Sequence, residues 1–141
     1  MSGLFVAFEG VDRSGKTTQL RLLAERLGDK HEVVVTREPG GTPVAEAIRV
    51  LLLADDVDMS ARCEALLFAA ARADHVERTI RPALERGAVV LSDRFVDSSL
   101  AYQGVARGLG VEDVERVNMW ATDGVIPDLT IMLDLSTGTS T

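Results

Sequence analysis

The sequence contains little of what a disulfide-stapled, membrane-spanning or nucleic-acid-coating protein needs. Cys63 is its single cysteine, which excludes an internal disulfide and a zinc site built on several cysteines. No apolar run approaches the roughly 20 residues that span a bilayer. Basic residues number 15 against 22 acidic ones, a net charge of −7 that argues against a general nucleic-acid surface. The first residues carry no basic region followed by a cleavage site, so we expect a cytoplasmic protein without a secretory signal.

The composition is typical of one globular domain. The chain has 141 residues, of which 46% are hydrophobic and 26% are charged, and a chain of this length can bury a substantial core. Low complexity is confined to residues 136–141. We therefore expect one domain over residues 1–135, followed by a short low-complexity tail.

Four apolar runs predict the strands of a buried parallel sheet. They cover residues 4–8, 33–36, 88–91 and 129–133. The runs do not alternate with polar residues, as is typical of strands covered on both faces. Helical patterns lie between them, so the order along the chain predicts a three-layer α/β/α sandwich with right-handed crossovers.

Local signals mark the predicted helices. The first ends at Gly28, and the second begins at Thr42, an N-cap followed by a first-turn proline. We expect the second helix to turn a stripe inward, formed by Val44, Ala47, Ile48 and Leu51. Further helices are predicted from about residue 60, with a break or kink at Pro82, and over residues 97–106 and 111–121.

A phosphate-binding motif follows the first predicted strand. Residues 10–17 read Gly-Val-Asp-Arg-Ser-Gly-Lys-Thr, a full match to G-x-x-x-x-G-K-[ST] between a strand and a helix. In this context backbone N–H groups and a helix N-terminus face an anion, Lys16 reaches the β- and γ-phosphates, and Thr17 holds Mg²⁺. The alternative is a chance match in a glycine-containing turn. The expected ATP-binding residues are Gly10, Val11, Asp12, Arg13, Ser14, Gly15, Lys16, Thr17 and Thr18.

The rest of the chain narrows the class of nucleotide-binding protein. A switch GTPase needs a downstream Asn-Lys-x-Asp guanine reader, but the single asparagine, Asn118, precedes Met119 and Trp120. Motor and transporter ATPases usually need far more chain. A small kinase is the economical interpretation, and the second half must then supply an acceptor site.

Candidate acceptor residues follow the second and third strands. Arg37 begins the segment Arg-Glu-Pro-Gly-Gly-Thr, and Asp93 and Arg94 follow the third strand. The carboxyl ends of strands in an open α/β sheet are where ligands bind. The intervening helix carries Phe68 and Arg72 four residues apart, on one face. Arginines that grip a phosphate and an aromatic ring that stacks on a base suit a nucleoside monophosphate.

Together these motifs resemble the thymidylate kinase family. The matching segments are residues 9–17, 37–42, 67–75, 93–104 and 127–134, in the family's order. The resemblance implies a P-loop nucleoside monophosphate kinase fold, in which ATP with Mg²⁺ phosphorylates dTMP to dTDP. It also implies a homodimer.

The resemblance further implies a role for each matching residue. Its dTMP-binding set comprises Asp12, Arg37, Phe68, Arg72, Arg94, Ser98, Ser99, Tyr102 and Gln103. In that set Phe68 stacks on thymine, Arg72 bonds its O4, and Tyr102 packs against the deoxyribose. The implied catalytic residues are Arg13, Lys16 and Arg94, and the implied metal ligands are Thr17 and Asp93.

Several alternatives remain open at the level of sequence. Family members continue past the strand that ends near Asp134 with an arginine-rich lid and an adenine-side region, so the resemblance implies a fold that is incomplete at its C-terminal side. Whether the native chain continues past Thr141 or is a short form stays open. The chain could instead be a binding-only or regulatory fragment, or a P-loop kinase with another small-molecule acceptor. Taken singly, Phe68 could be a core residue, and His75 is better explained as a structural hydrogen-bond partner than as a base.

Overall fold

A parallel sheet of four strands forms the centre of the protein. The computed structural model describes residues 3–10 and 15–133. The strands are β1 Leu4–Gly10, β2 Val33–Arg37, β3 Val89–Asp93 and β4 Leu129–Leu133, in the order β2-β3-β1-β4. Every neighbouring pair is parallel. The four predicted strands are thus confirmed, each within two residues at either end.

The helical segments occupy the stretches between the strands. They are α1 Lys16–Leu27, α2 Pro43–Leu53, α3 Ala61–His75, α4 Arg81–Glu85, α5 Val96–Ser99 and α6 Val111–Thr122. Two π-helical segments, Val76–Ile80 and Leu100–Ala106, directly follow α3 and α5. Among the described residues, no helix combines the length and apolarity needed to cross a bilayer.

The two central strands of the sheet, β1 and β3, are covered on both faces. On β1, Phe5 and Ala7 contact one apolar cluster, which includes Ile80 and residues of α4. Val6 and Phe8 contact the other, which includes Leu20 and its neighbours on α1. Because successive strand residues point to opposite faces, this alternation gives two cores and three layers. The predicted α/β/α sandwich is confirmed.

The predicted break at Pro82 takes the form of a wide helical turn. The chain passes from α3 through the π segment Val76–Ile80 into α4 without leaving helical geometry. Pro82 closely follows the π segment, and because proline lacks an N–H it cannot donate to a carbonyl of the preceding helical turn. A second π segment, Leu100–Ala106, makes up most of the predicted 97–106 helix. Such single-turn bulges are frequent near functional sites.

The predicted inward stripe of α2 is wrong. Val44 is 53% exposed and Leu51 is 42% exposed, while Ala45 is fully buried. Ala47 is also exposed, and Ile48 is half-buried. Because the helix is apolar at all but two charged positions, periodicity alone does not select the face that packs inward.

The strand order creates a crevice beside β1 and β3. The chain leaves β1 through α1 toward one edge of the sheet, and leaves β3 through α5 and α6 toward the other. Adjacent strands whose connections depart in opposite directions form a topological switch point, where open α/β sheets bind ligands. The candidate site therefore lies past Gly10 and Asp93.

Candidate active site

The described part of the phosphate loop brackets a buried lysine. Gly10 has φ 135° and Gly15 has φ 88°, backbone conformations that favour glycine. Lys16 is 5% exposed, and its Nζ lies 2.9 Å from Asp93 Oδ1 and 3.3 Å from the Gly10 carbonyl oxygen. The lysine thereby links the N-terminus of α1 to the end of β3. Four of the predicted ATP-binding residues, Val11, Asp12, Arg13 and Ser14, lie outside the described residues.

Oxygen donors that suit Mg²⁺ lie beside this lysine. Thr17 is exposed in the first turn of α1, where Thr18 is exposed as well, and Thr17 and Asp93 line one cavity of about 350 Å³. Asp93 Oδ1 is buried and, among the described residues, forms only the ion pair with Lys16. In the part of the chain that the structure describes, no cluster of three or more His, Cys, Asp or Glu residues could hold a metal by itself. The donors fit Mg²⁺, which is usually held by one or two carboxylates together with substrate phosphates.

A second cavity, of about 270 Å³, gathers most of the predicted acceptor residues. Its lining includes seven of them: Phe68, Arg72, Arg94, Ser98, Ser99, Tyr102 and Gln103. They come from α3 and from the segment that follows β3. The structure therefore brings together residues that lie more than 20 positions apart in sequence. We call this space the acceptor cavity.

Arg72 is the most completely bonded side chain of the acceptor cavity. It is 2% exposed. Its Nε donates to Glu38 Oε1 at 2.6 Å, Nη1 to Ser99 Oγ at 2.9 Å and to Asn118 Oδ1, and Nη2 to the Phe95 carbonyl oxygen at 3.0 Å. A guanidinium has five N–H groups. Among the described residues, these four acceptors leave one N–H of Nη2 available to the cavity.

Glu38 extends this buried network away from the cavity. Its Oε2 lies 2.6 Å from His75 Nδ1, and His75 Nε2 lies 2.6 Å from Thr36 Oγ1. All contacts are satisfied when His75 Nδ1 donates to the carboxylate and Thr36 donates to Nε2. His75 is fully buried and makes the structural hydrogen bonds expected of it. The network fixes the orientation of the Arg72 guanidinium.

Arg94 occupies a tight turn at the end of β3. Its φ is 76°, a left-handed conformation that is uncommon for a residue other than glycine. Its N–H donates to the Phe8 carbonyl oxygen at 2.8 Å, and its Nη1 donates to Ser98 Oγ at 3.2 Å. The guanidinium carbon lies 5.7 Å from the centre of the Tyr102 ring, within cation–π range. The turn thus aims a cation into the acceptor cavity.

Arg37 is placed differently from its predicted partners. It lines the cavity of Thr17 and Asp93 rather than the acceptor cavity. Its Nη2 lies 2.8 Å from Glu46 Oε1, and this bond lowers the pKa of Glu46 while raising the pKa of Arg37. Arg37 therefore belongs to the cavity of Thr17 and Asp93, where it is paired with a carboxylate.

Sequence reasoning missed Arg49, a half-buried arginine of α2 that lines the acceptor cavity. Its Nη1 donates to the Pro39 carbonyl oxygen at 2.9 Å. Burial lowers the pKa of Arg49 most, followed by the positive charge of Arg37, with a smaller effect from Arg94. Arg49 thus lies within the field of two further guanidinium groups, and arginine side chains suit phosphate binding. The available signal was a single arginine within the apolar run Ile-Arg-Val-Leu-Leu-Leu.

Known proteins similar to this chain include thymidylate kinases. The sequence profile described as thymidylate kinase matches residues 8–140. The chain belongs to the thymidylate kinase family. Thymidylate kinase from Halothermothrix orenii is 56% identical over 136 residues, covering 96% of this chain and 66% of the relative. That from Symbiobacterium thermophilum is 61% identical over 135 residues, covering 94% of this chain and 63% of the relative.

A solved thymidylate kinase shares the fold. The crystal structure of thymidylate kinase from Ehrlichia chaffeensis matches with a TM-score of 0.87 and 42% sequence identity, over 95% of this chain and 76% of that one. The chain thus spans just under two thirds of the length of the two bacterial relatives named above. The shared fold accounts for the strand order of the sheet.

Proposed function

We propose that the protein transfers the γ-phosphoryl group of ATP to dTMP, giving ADP and dTDP. The observation that carries the proposal is the acceptor cavity, which combines the aromatic face of Phe68 with the guanidinium groups of Arg72, Arg49 and Arg94. Arg94 directly follows Asp93, the partner of the phosphate-loop lysine. An oxygen of the dTMP phosphate attacks the γ-phosphorus, and the bond to the ADP oxygen breaks. This chemistry needs no protein nucleophile, since it rests on positioning and on stabilisation of charge.

The donor side holds the triphosphate. Backbone N–H groups at Gly10, Gly15 and the N-terminus of α1 donate to the phosphates. The Lys16 ammonium binds the β- and γ-phosphates. Lys16 Nζ lies 2.9 Å from Asp93 Oδ1. Thr17 and Asp93 would hold Mg²⁺, which neutralises charge that builds up on the phosphates.

The acceptor side recognises the base through one ring face and one N–H. Phe68 is half-buried on the cavity wall, where a phenyl face can stack on thymine. The remaining N–H of Arg72 can donate to the O4 carbonyl of thymine. Cytosine carries an amino group at this position, which is a donor and cannot accept that bond. Ser99 and Gln103 are buried beside it. Tyr102 packs against the deoxyribose.

The arginine cluster holds the acceptor phosphate. Arg94 and Arg49 line the acceptor cavity, and the charge of Arg37, which lines the cavity of Thr17 and Asp93, acts on Arg49. Arginine binds phosphate through two parallel N–H donors, which fixes the attacking oxygen as well as binding it. Asp12 contacts the 3′-hydroxyl in this proposal.

Arg13 supplies a further catalytic charge from within the phosphate loop. We expect Arg13→Ala to lower kcat by about 10³-fold, because an arginine on the transferring phosphoryl contributes mainly in the transition state. The KM for dTMP should change little. Steady-state kinetics with saturating ATP measures both, and an unchanged kcat would contradict this role.

Coupled ADP-release assays test the activity with four acceptors: dTMP, dUMP, dGMP and shikimate. We expect ADP release with dTMP, in the chain or in any longer product of its gene. Release with another acceptor alone would favour a different small-molecule kinase. Nucleotide binding without release in either form would favour a binding-only protein.

We further propose a cytoplasmic homodimer. The outer helices α2, α3 and α6 pack side by side and expose large apolar side chains, among them Val50 at 72%, Leu66 at 52% and Trp120 at 87%. Such surfaces are typical of protein–protein contacts. Light scattering after size exclusion should give the mass of two chains at micromolar concentration. A single-chain mass throughout would contradict the dimer.

A further inference from the structure

Glu9 is a buried carboxylate to which the predicted site assigns no role. It lies at the end of β1, directly before Gly10, and is 2% exposed. Burial raises the pKa of the Glu9 carboxyl above its usual range, against the opposing effect of hydrogen bonds from Ser98 and Phe95. A buried carboxylate lowers stability unless its bonds compensate. The hydrogen bonds that Glu9 accepts therefore indicate its role.

Both carboxylate oxygens bind the segment that follows β3. Glu9 Oε2 accepts the Phe95 N–H at 2.8 Å, and Oε1 accepts the Ser98 hydroxyl. Ser98 Oγ in turn accepts Arg94 Nη1 at 3.2 Å. Glu9 is thereby joined through one hydroxyl to the guanidinium that lines the acceptor cavity.

The turn at Arg94 and Phe95, which Glu9 binds, has an unfavourable backbone conformation that contacts from elsewhere in the chain must stabilise. A left-handed residue with a side chain costs about 1–2 kcal/mol, and Arg94 has φ 76°. Phe95 follows it, and Glu9 binds its N–H while Arg72 binds its carbonyl oxygen at 3.0 Å. The next residue on β1 is the first glycine of the phosphate loop. One side chain thus fixes the acceptor arginine relative to the donor loop.

We propose that Glu9 is a positioning residue that sets the placement of Arg94 against the phosphate loop, and so the alignment of acceptor and donor phosphates. The proposal rests on the proposed phosphoryl transfer. Glu9 touches no reacting atom in it. It acts through Phe95 and Ser98, whose bonds require two acceptor oxygens in fixed directions.

Glu9→Gln tests this role because the amide keeps the shape but presents one acceptor and one donor. The donor would face Ser98 or Phe95, and either arrangement loosens Arg94. We expect kcat to fall about 10²-fold, as small misplacements of reacting groups do, with a raised KM for dTMP. The KM for ATP and the fold should be retained. Glu32→Gln, which alters an exposed pair with Arg86, is the matched control and should behave as the wild type.

Ser98→Ala isolates the link to Arg94, because it leaves the Glu9 bond to Phe95 in place. We expect it to lower activity in the same direction, and the double variant with Glu9→Gln to lose less than the product of the two single effects. Kinetics within twofold of wild type for Glu9→Gln, or fully multiplicative effects, would overturn the proposal. If Glu9→Gln does not fold, wild-type kinetics of Ser98→Ala would overturn it.

Failure of the proposed function gives a different result. A wild type that phosphorylates another acceptor but not dTMP would contradict the proposed function, and the same variants would then be compared with that acceptor. A crystal structure of Glu9→Gln is independent of turnover altogether. We expect Arg94 to leave its left-handed conformation or its bond to Ser98 to break. An unchanged turn would overturn the role of Glu9.

Discussion

At the scale of single residues, the candidate site depends on charged groups that are bonded inside the protein. The sequence placed Arg72 near the acceptor because it shares a helix face with Phe68. It could not show that Glu38, Ser99 and Asn118 occupy three of its donors, because these partners come from distant positions in the chain. Long-range hydrogen bonds leave no periodic signal. The base-reading role of Arg72 stays a prediction, and the structure adds only the partners that orient its guanidinium.

Arg72→Met should lower the free energy of unfolding by about 3–5 kcal/mol, because it leaves the Glu38 carboxylate buried without its cation. Arg78→Met is the matched control. Arg78 pairs with Asp74 while 70% exposed, and such pairs contribute less than about 1 kcal/mol. Urea denaturation measures both variants, and equal losses would contradict a structural role for the buried pair.

The raised pKa of Glu9 predicts that the stability difference between wild type and Glu9→Gln depends on pH. Its pKa is raised chiefly by burial and also by the nearby charge of Asp97, while hydrogen bonds from Ser98 and Phe95 and the charge of Arg72 act against the increase. A raised carboxyl pKa means that the protonated form is favoured in the folded state, so stability is lost as pH rises through the folded pKa. Glu9→Gln lacks this loss. We expect the Tm of Glu9→Gln minus the Tm of wild type to increase as the pH is raised from the usual carboxyl pKa range to pH 7.

The relative Tm of Glu32→Gln provides the comparison for that measurement. The hydrogen bond from Arg86 lowers the pKa of exposed Glu32, so any trend should run in the opposite direction. A Glu9→Gln difference that is flat or that falls between acid and neutral pH would contradict the assignment of Glu9 as a costly buried anion.

At the scale of elements, the strands were predictable and several helical details were not. Strands covered on both faces leave continuous apolar runs, and caps such as Thr42, which accepts the Ala45 N–H at 3.0 Å, mark helix starts locally. The π segments depend on how α3 and α5 pack onto the sheet. The inward face of α2 depends on which apolar residues meet α3. Neither follows from a repeat in the sequence.

Gly41 tests how tightly the β2–α2 connection is held. Its φ is 97°, and an added Cβ would overlap the ring of His75. Gly108 has φ 74° with open space around the added carbon. Both Gly→Ala changes carry the left-handed penalty of about 1–2 kcal/mol, but only Gly41→Ala also displaces His75. We expect the larger loss of unfolding free energy in Gly41→Ala, and a loss no greater than that of Gly108→Ala would contradict the packing.

At the scale of the whole molecule, the fold concentrates positive charge in an acidic protein. The net charge of −7 predicted only that no broad nucleic-acid surface exists. The strand order then brings Lys16, Arg37, Arg49 and Arg94 to the carboxyl end of the sheet. Composition cannot reveal such clustering, because it depends on where each cation falls relative to the strand ends. The sequence motifs did predict this clustering for Lys16, Arg37 and Arg94, though not for Arg49.

Phosphoryl transfer from ATP to dTMP is tested most directly by ³¹P NMR of a single mixture of protein, ATP, Mg²⁺ and dTMP. We expect the β-phosphate signal of dTDP to appear as the γ-phosphate signal of ATP declines. Arg94→Met should slow its appearance at least tenfold. Absence of dTDP in the wild type, in every length of the gene product, or an unaffected Arg94→Met would contradict the proposed acceptor site.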